Sequence, residues 1–511
     1  MSPGYSTESY PAFAHIGLRE NPGKKPQPVK YKYWKIKGVP HLQPTFPAGN
    51  LSDVMYSRKT IGEVYADFYR KFKGHRFAGI YQFHAPMLLA LDPELIKNIL
   101  VKDFEHFHDR RFPFDEKIEP LGANLFQLNG RKWKSLRNKL SPVFTSGKMK
   151  MMIQTMIDCG KELEKYLEQP ARKQEIVEVK DILAKFTTDI IASVVFGIQC
   201  NCLKNPNAEF RLWGKKFLDP SFKQNIRDLL YLTVPDLAIS LGIPNIPTYI
   251  SNFFMKVVEE TVGYREKNNI KRNDFMQLLI QLMNNNNIDK EEKLGDVTIS
   301  LTEVAAQSVT FLIAGFETSA TTMSFCLYEL ALNPDIQDRV REEIDTVLEK
   351  HGGNITYEAI QEMNYLDNAV AETLRKHPPA SFLFRECTKE YKIPDSEVVV
   401  EKGSQVVVPV MGLHYDPKYF PDPTRFDPDR FTEEVKKTRH HYSYLPFGEG
   451  PRICIGMRFA LLQTKVGLAT LLSKYQFNVC EKTPIPFVYD PKTFILFMKG
   501  GTWLQVKNRS K

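Results

Sequence analysis

The sequence predicts a mainly α-helical protein with small β-sheets. From about residue 60, apolar residues recur at spacings of three and four over long stretches, the period of a helix with one buried face. One stretch opens at Ser300 with Glu303 three residues on, a capping-box pattern, and closes at Asn333-Pro334 after roughly thirty residues, unusually long for a globular helix. Strand-like text appears mainly after residue 385.

The chain has 511 residues, 42% hydrophobic and 25% charged, with 34 Phe and 22 Tyr, enough apolar material for a sizeable packed interior and incompatible with intrinsic disorder. Its seven cysteines (159, 200, 202, 326, 387, 454 and 480) are odd in number and scattered, which excludes a disulfide framework and points to a reducing compartment. No repeat has a solenoid period. Net charge is +9, and Lys24, Lys25, Lys30, Lys32, Lys35 and Lys37 crowd the N-terminal region. Such a run suits an anionic membrane surface or an acidic partner, and equally plain solvation. No window of 18 apolar residues exists, and residues 1–29 lack the apolar core of a signal peptide or membrane span, so the chain as written is not expected to cross a bilayer. The organisation expected is a polar segment over 1–30 without a membrane anchor, followed by one domain over 31–511.

In order along the chain, the first 45 residues, rich in Pro, Gly and Lys, predict a loosely structured lead-in. Leu229 to Phe254 is apolar but broken by Pro235, Asp236, Pro244 and Pro247. Burial in the core is favoured there over a shallow dip into a membrane. Asn284 to Asn287 predicts an exposed loop, and 300–332 the long helix. Val398 to Glu401 and Gln405 to Val410 flank Lys402-Gly403 as a hairpin. Between Pro417 and Phe431 four prolines and three aspartates impose an irregular meander.

The most informative stretch is Phe447-Gly448-Glu449-Gly450-Pro451-Arg452-Ile453-Cys454-Ile455-Gly456, followed by a helical pattern over Met457 to Leu472. The glycines permit tight turns and the close approach of a flat cofactor. Cys454 sits just before a helix N-terminus, where unpaired N–H groups and the positive end of the dipole favour a thiolate and lower the thiol pKa. Alone, such a cysteine is more often a buried residue in a turn. The Cys200-x-Cys202 pair, without further ligands, makes a poor zinc site.

All six specified positions of Phe-Gly-x-Gly-x-Arg-x-Cys-x-Gly are present in that stretch, and on them the chain resembles the cytochrome P-450 family of heme-thiolate monooxygenases. The resemblance runs from about Tyr31 to Lys507. Tyr33 to Pro40, Arg272 to Phe275 and Asp490 to Ile495 look most like the insect microsomal detoxification branch. It implies the P-450 fold, with heme b (iron protoporphyrin IX) between the long distal helix and the cysteine loop, and Cys454 as axial ligand of the iron. Arg452 would pair with a heme propionate and Phe447 would shield the sulfur. Trp133 and Arg137, four apart on one helical face, match the family's Trp-x-x-x-Arg pair that contacts a propionate. Arg385 and Arg110 stand where relatives offer further propionate donors, with Arg111 an alternative to Arg110. Ala314-Gly315-Phe316-Glu317-Thr318 resembles the distal motif: Ala314 and Gly315 would leave room for dioxygen, while Glu317 and Thr318 would relay protons as the catalytic pair. Glu372, Arg375 and Arg430 would form a buried structural network.

The implied function is insertion of one oxygen atom from O2 into small apolar substrates, xenobiotics or endogenous lipophiles. Electrons would come from NADPH through NADPH-cytochrome P-450 reductase, with cytochrome b5 a further donor. Arg131, Lys132, Lys134 and Lys139 make one helix basic, which suits an acidic flavoprotein, or a solvated face. Phe112, Phe114, Phe311 and Phe382 fall near segments that line the pocket in relatives, although each also reads as core. The implied location is the cytosolic face of the endoplasmic reticulum membrane, held peripherally, and no nucleic acid is expected as a partner. Two rivals remain: a heme-thiolate isomerase or dehydratase, against which Glu317 and Thr318 argue, and a heme sensor or carrier without turnover.

Overall fold

The longest helix, Leu301–Leu332, starts as its sequence dictates. The Ser300 hydroxyl accepts the N–H of Glu303, and the Glu303 carboxylate accepts the N–H of Ser300, so two N–H groups that a helix start leaves unpaired are both satisfied. At about 1.5 Å per residue it extends roughly 48 Å. Asn333 ends it, and Pro334 opens the next helix, Pro334–Lys350, where a missing N–H costs nothing. A second capping box, Thr60 with Glu63, starts Ile61–Lys71. This computed structural model describes residues 30–218, 221–284 and 299–509.

Most of the long helix is buried, so it forms the spine of the larger core rather than a one-faced surface helix. Helix Val179–Ile191 packs along one side of it and helix Met457–Lys474 along another. Gly315 lets the first of these approach: a Cβ there would stand 2.6 Å from Ile191 Cδ1. The second is tied in by Gln463, whose Nε2 donates to the Gly315 carbonyl at 2.7 Å. Gln307, fully buried, pins the 120s segment to the same helix, accepting from Leu125 N at 2.9 Å and donating to Ala123 O at 3.0 Å.

A smaller core surrounds a mixed sheet of strands β1 (Phe77–Gln82), β2 (Ala85–Ala90), β4 (Leu383–Glu386) and β7 (Gln405–Val408), in the order β1-β2-β7-β4. The other two sheets are β3 (Ile176–Glu178) with β9 (Trp503–Asn508) and β8 (Tyr475–Asn478), and the pair β5 (Tyr391–Lys392) with β6 (Val399–Val400). The expected hairpin across Lys402-Gly403 does not form. The two strands exist, but β6 pairs with β5, while β7 runs parallel to β2 and antiparallel to β4. Gly403, at φ +84, turns the chain from one sheet into another. Val406, Val407 and Val408 are buried, so β7 fills a central position between two partners that a two-stranded hairpin could not supply.

Three further expectations meet the structure differently. Within the described part of the lead-in, Tyr33–Ile36 is helical, and Trp34 docks into the small core by donating Nε1–H to Ile80 O at 3.0 Å over Gly79. Of the N-terminal lysines, Lys37 is no surface decoration: its Nζ lies 2.9 Å from Glu401 and donates to Val399 O. The apolar run Leu229 to Phe254 splits among helices Phe222–Thr233, Pro235–Ser240 and Thr248–Lys267. Its Ala238, Ile250 and Phe254 are buried, but Leu229, Leu237, Leu241 and Tyr249 face solvent. The core reading therefore holds for only part of it, because three short helices expose faces that one continuous helix would hide. The meander Pro417 to Phe431 is irregular as expected, with one 3-10 turn at Pro428–Phe431. Of the loop expected at Asn284 to Asn287, only Asn284 lies within the described residues, and it is a turn.

Just ahead of the meander, a neutral histidine joins helix Asn364–Lys376 to the segment that leads into the cysteine loop. His414, fully buried, donates from Nδ1 to Arg375 O at 3.1 Å and accepts Leu445 N–H on Nε2 at 2.9 Å, which sets its tautomer. Burial, with Arg375 nearby, lowers its pKa from 6.5 to about 3. The unfolded chain binds a proton at this residue near pH 6.5 and the folded chain does not, so stability is lost as pH falls below that value. By about pH 4 the loss is expected to reach a few kcal/mol. A His414 imidazole NMR resonance that stays in its neutral position between pH 7 and 5 is the expected sign. One that titrates there would contradict it.

Candidate heme-binding site

The cysteine loop is shaped by two glycines. Gly448 and Gly450 both adopt φ +73, and a Cβ on Gly450 would stand 2.0 Å from the Leu100 carbonyl oxygen. Any side chain there must displace backbone as well as strain its own. Gly450→Ala is expected to cost about 2–4 kcal/mol, from left-handed strain plus overpacking, seen as a lowered thermal unfolding midpoint. Gly456 differs: its φ is −88, and a Cβ would meet no protein atom within 4 Å. Protein packing does not demand a glycine there, whereas a flat group laid against the loop would.

Cys454 N–H donates to Phe447 O at 3.0 Å, which closes the loop, and Gly456 caps helix Met457–Lys474. Among the seven cysteines only Cys454 is exposed. Yet burial among protein atoms raises its thiol pKa, against the opposing pull of the Gly456 N–H, Arg137 and Arg110. Access together with deep surroundings means that the sulfur opens into an internal space, not onto the outer surface. The shift expected from the helix terminus is present, but desolvation outweighs it, so the net direction in the protein alone is upward.

Four guanidinium groups gather around this space. Arg452 is buried, with Nε donating to His108 O and Nη2 to Leu128 O, both at 2.8 Å, and its plane lies 4.1 Å from the centre of the Trp133 ring. Burial, followed by Arg110, lowers its pKa to about 9. Arg110 is brought down to about 10 by burial, with Arg137 adding to the effect and Cys454 opposing it. Arg385, on β4, is lowered well below its usual value by burial and then by Arg110 and Arg452. Burial also lowers Arg137, half-exposed on helix Gly130–Leu140 one turn after buried Trp133. Arg111 is exposed, whereas Arg110 is half-buried and close enough to Cys454 and Arg137 to feel their charges.

Among the described residues the one carboxylate ion-paired with this group is Asp109, 3.8 Å from Arg452, and it already accepts the Gly130 N–H and contacts His108 Nδ1. Two buried guanidinium nitrogens, Arg385 Nε and Arg452 Nη1, have no hydrogen-bond partner among the described residues. Clustered, desolvated cations with donors to spare call for an anion, and the two propionates of a heme match that demand. The thiol, the open Gly456 and this donor set fit the group.

The long helix presents two different faces at the distal motif. Phe311, Ala314 and Thr318 follow i, i+3, i+7 spacing, and within the otherwise buried helix Ala314 is exposed and the other two are half-buried, so this stripe borders a space. Thr318 Oγ1 donates to Ala314 O at 2.6 Å. Glu317 is buried and ion-paired with Lys180. It lines a cavity of about 290 Å³ with Lys180, Asp181, Arg211, Phe316 and Phe497, on roughly the opposite side of the helix. The two members of the expected proton pair therefore sit on different faces.

The other site residues fall as follows. Phe447 is half-buried and packs against the large core. Phe112 packs on Phe126 and Phe384, Phe311 on Phe144 and Phe275, Phe382 on Tyr65 and Phe494, and Phe114 lies over Gly122. Of the basic helix, Arg131, Lys132 and Lys134 are exposed. Lys139 instead turns inward, because its position follows the buried Leu136 stripe. Sequence reasoning missed Asp109, Lys180 and Gln463, whose partners lie far away in the chain with no local pattern to flag them.

Comparison with known proteins agrees with this geometry. The family model described as Cytochrome P-450 matches residues 40–504. The chain is 44% identical over 477 residues to cytochrome P-450 6a9 of Drosophila melanogaster, covering 93% of this chain and 94% of the relative. It is 42% identical over 486 residues to probable cytochrome P-450 6a14 of the same fly, with 93% and 95% covered. Cytochrome P-450 6A1 of Musca domestica is 42% identical over 483 residues, with 93% and 94% covered.

Proposed function

The chain belongs to the cytochrome P-450 family and is a heme-thiolate monooxygenase; on that premise we propose that Cys454 is its iron ligand and that small apolar molecules are its substrates. The observation carrying the assignment is the accessible thiol set among four desolvated guanidiniums, two of which keep nitrogens unpaired among the described residues. Heme b, when bound, supplies the iron that activates O2. Arg110, Arg137, Arg385 and Arg452 hold its propionates, Trp133 supports Arg452 from below, and Phe447 covers the sulfur.

Ala314 and Thr318 line the distal side. The Thr318 hydroxyl, resting on the Ala314 carbonyl, can turn to hold a proton in that space. Glu317 takes up protons on the other face, and its release from Lys180 is the step that would pass them across. Thr318→Ala is expected to lower product formed per NADPH about tenfold or more while hydrogen peroxide rises, since O2 reduction is no longer coupled to insertion. Product and peroxide assays on the same sample check this.

Electrons arrive from NADPH through a flavoprotein reductase, with cytochrome b5 as an additional donor, and Arg131, Lys132 and Lys134 offer a basic docking face. No described helix is long and apolar enough to cross a membrane. Exposed Ile226, Leu229, Leu237 and Leu241 supply apolar surface for contact with the cytosolic face of the endoplasmic reticulum membrane. The deciding experiment incubates purified protein with reductase, NADPH and a panel of apolar compounds. Hydroxylated or epoxidised products that require NADPH support the proposal. Turnover without NADPH would indicate the isomerase chemistry instead, and heme binding without products a carrier.

A further inference from the structure

Away from the heme site, two thiols and a carboxylate meet just past helix Val179–Ile191. The helix runs into a π-turn, Ala192–Phe196, ended by Gly197 at φ +72, and the chain then passes Cys200-Asn201-Cys202. Between the two cysteines Asn201 adopts φ +50, a left-handed turn conformation that asparagine tolerates better than most residues. Cys202 is fully buried and Cys200 half-buried. Their side chains stand close enough for Cys200 to bear on the titration of Cys202, and both thiols are free.

Asp189, in the last turn of the helix, completes the group. Its Oδ1 accepts the Cys202 backbone N–H at 2.8 Å, which sets the carboxylate close enough to the Cys202 thiol to bear on it. Burial raises the Asp189 pKa, so this carboxylate is a stronger base than an exposed one.

We propose that Cys200 and Cys202 form a reversible redox couple, oxidised by hydrogen peroxide to an intrachain disulfide with Asp189 as the base for Cys202. The Cys200 thiol gives up its proton as its sulfur attacks one peroxide oxygen. The O–O bond breaks, the departing oxygen takes up that proton and leaves as water, and Cys200 becomes a sulfenic acid. The Cys202 sulfur then attacks the Cys200 sulfur while Asp189 takes its proton, the S–O bond breaks, and the second oxygen leaves as water carrying that proton. Two thiols lose two electrons and one hydrogen peroxide gains them. A disulfide spanning a single residue is strained, so its potential is high, and a small dithiol readily returns it to two thiols.

In the test, full-length heme-loaded protein is treated with a small excess of hydrogen peroxide, remaining thiols are blocked with N-ethylmaleimide, and peptides are mapped by mass spectrometry. The expected result is loss of two hydrogens within the peptide holding Cys200 and Cys202, reversed by dithiothreitol and absent in Cys200→Ser. Asp189→Asn keeps the acceptor for the Cys202 N–H and is expected to slow bridge formation about tenfold or more, with Asp189→Glu restoring part of the rate. An unchanged rate in Asp189→Asn overturns the role of Asp189. Cys159 is the control, since it also feels the Asp189 charge. Cys159→Ser should leave the couple intact. A bridge to Cys159, persistence of the two-hydrogen loss in Cys200→Ser, or oxidation of Cys200 without any bridge overturns the proposal.

Discussion

Replacing Cys454 by alanine is expected to remove the thiolate-type Soret band of the reduced, carbon monoxide-treated protein and to slow product formation at least about a thousandfold. Alanine leaves the four guanidiniums and the open Gly456 in place, so some heme should still enter the site. What it removes is the one exposed thiol, and no other cysteine can substitute. Cys326 and Cys387 are buried, Cys387 donates its S–H to Lys389 O at 2.8 Å, and the remaining four are buried or half-buried. Arg385→Ala and Arg452→Ala should behave in the opposite way, weakening heme retention while the fraction that stays loaded keeps its thiolate band. Spectra of the three variants beside heme content separate axial ligation from propionate binding. A thiolate band surviving in Cys454→Ala would refute the assignment of the ligand.

The largest loss of stability is expected from Glu372→Ala. Glu372 and Arg375 are both fully buried. Arg375 Nε donates to Glu372 Oε2 at 2.6 Å and Nη2 to Oε1 at 2.8 Å, and Arg430 Nε stands 3.5 Å from the same carboxylate. Removing Glu372 strands a buried guanidinium that also donates to His414 O, at an expected cost of about 3–5 kcal/mol. Glu168 and Arg172 are likewise one helical turn apart and paired at 2.5 Å, but both are exposed, and Glu168→Ala should cost no more than about 0.5 kcal/mol. Thermal unfolding and the yield of folded, heme-loaded protein compare the two. Equal effects would mean that burial does not control the strength of these pairs.

Those two pairs show where sequence reading stops. Glu372-Thr373-Leu374-Arg375 and the run from Glu168 to Arg172 look alike as text, and only the family resemblance, which joined Arg430 to Glu372 and Arg375, singled out the first. The long helix was legible to the residue, because capping by Ser300 and Glu303 and termination at Asn333-Pro334 are local events. The hairpin at 398–410 was not, because a strand's partner is chosen by which faces must be buried, and β7 found its neighbours at Met87–Leu89 and Leu383–Glu386. Glu317 and Thr318 are adjacent in sequence and were expected to work side by side, yet successive helical residues lie about 100° apart and face different spaces.

The sequence by itself determined the helical class, the long helix and its limits, the cysteine loop with its turn-forming glycines, and the family. These rest on torsions, caps and short fixed spacings that neighbouring residues settle among themselves. The tertiary structure alone decided that Arg110 stands close to Cys454 and Arg137 while Arg111 is exposed, that Lys139 leaves the basic face, that Lys180 holds Glu317, and that Asp189 reaches the Cys200 and Cys202 turn. Each of these depends on how helices and sheets pack, and packing brings together groups whose separation along the chain carries no trace of their contact.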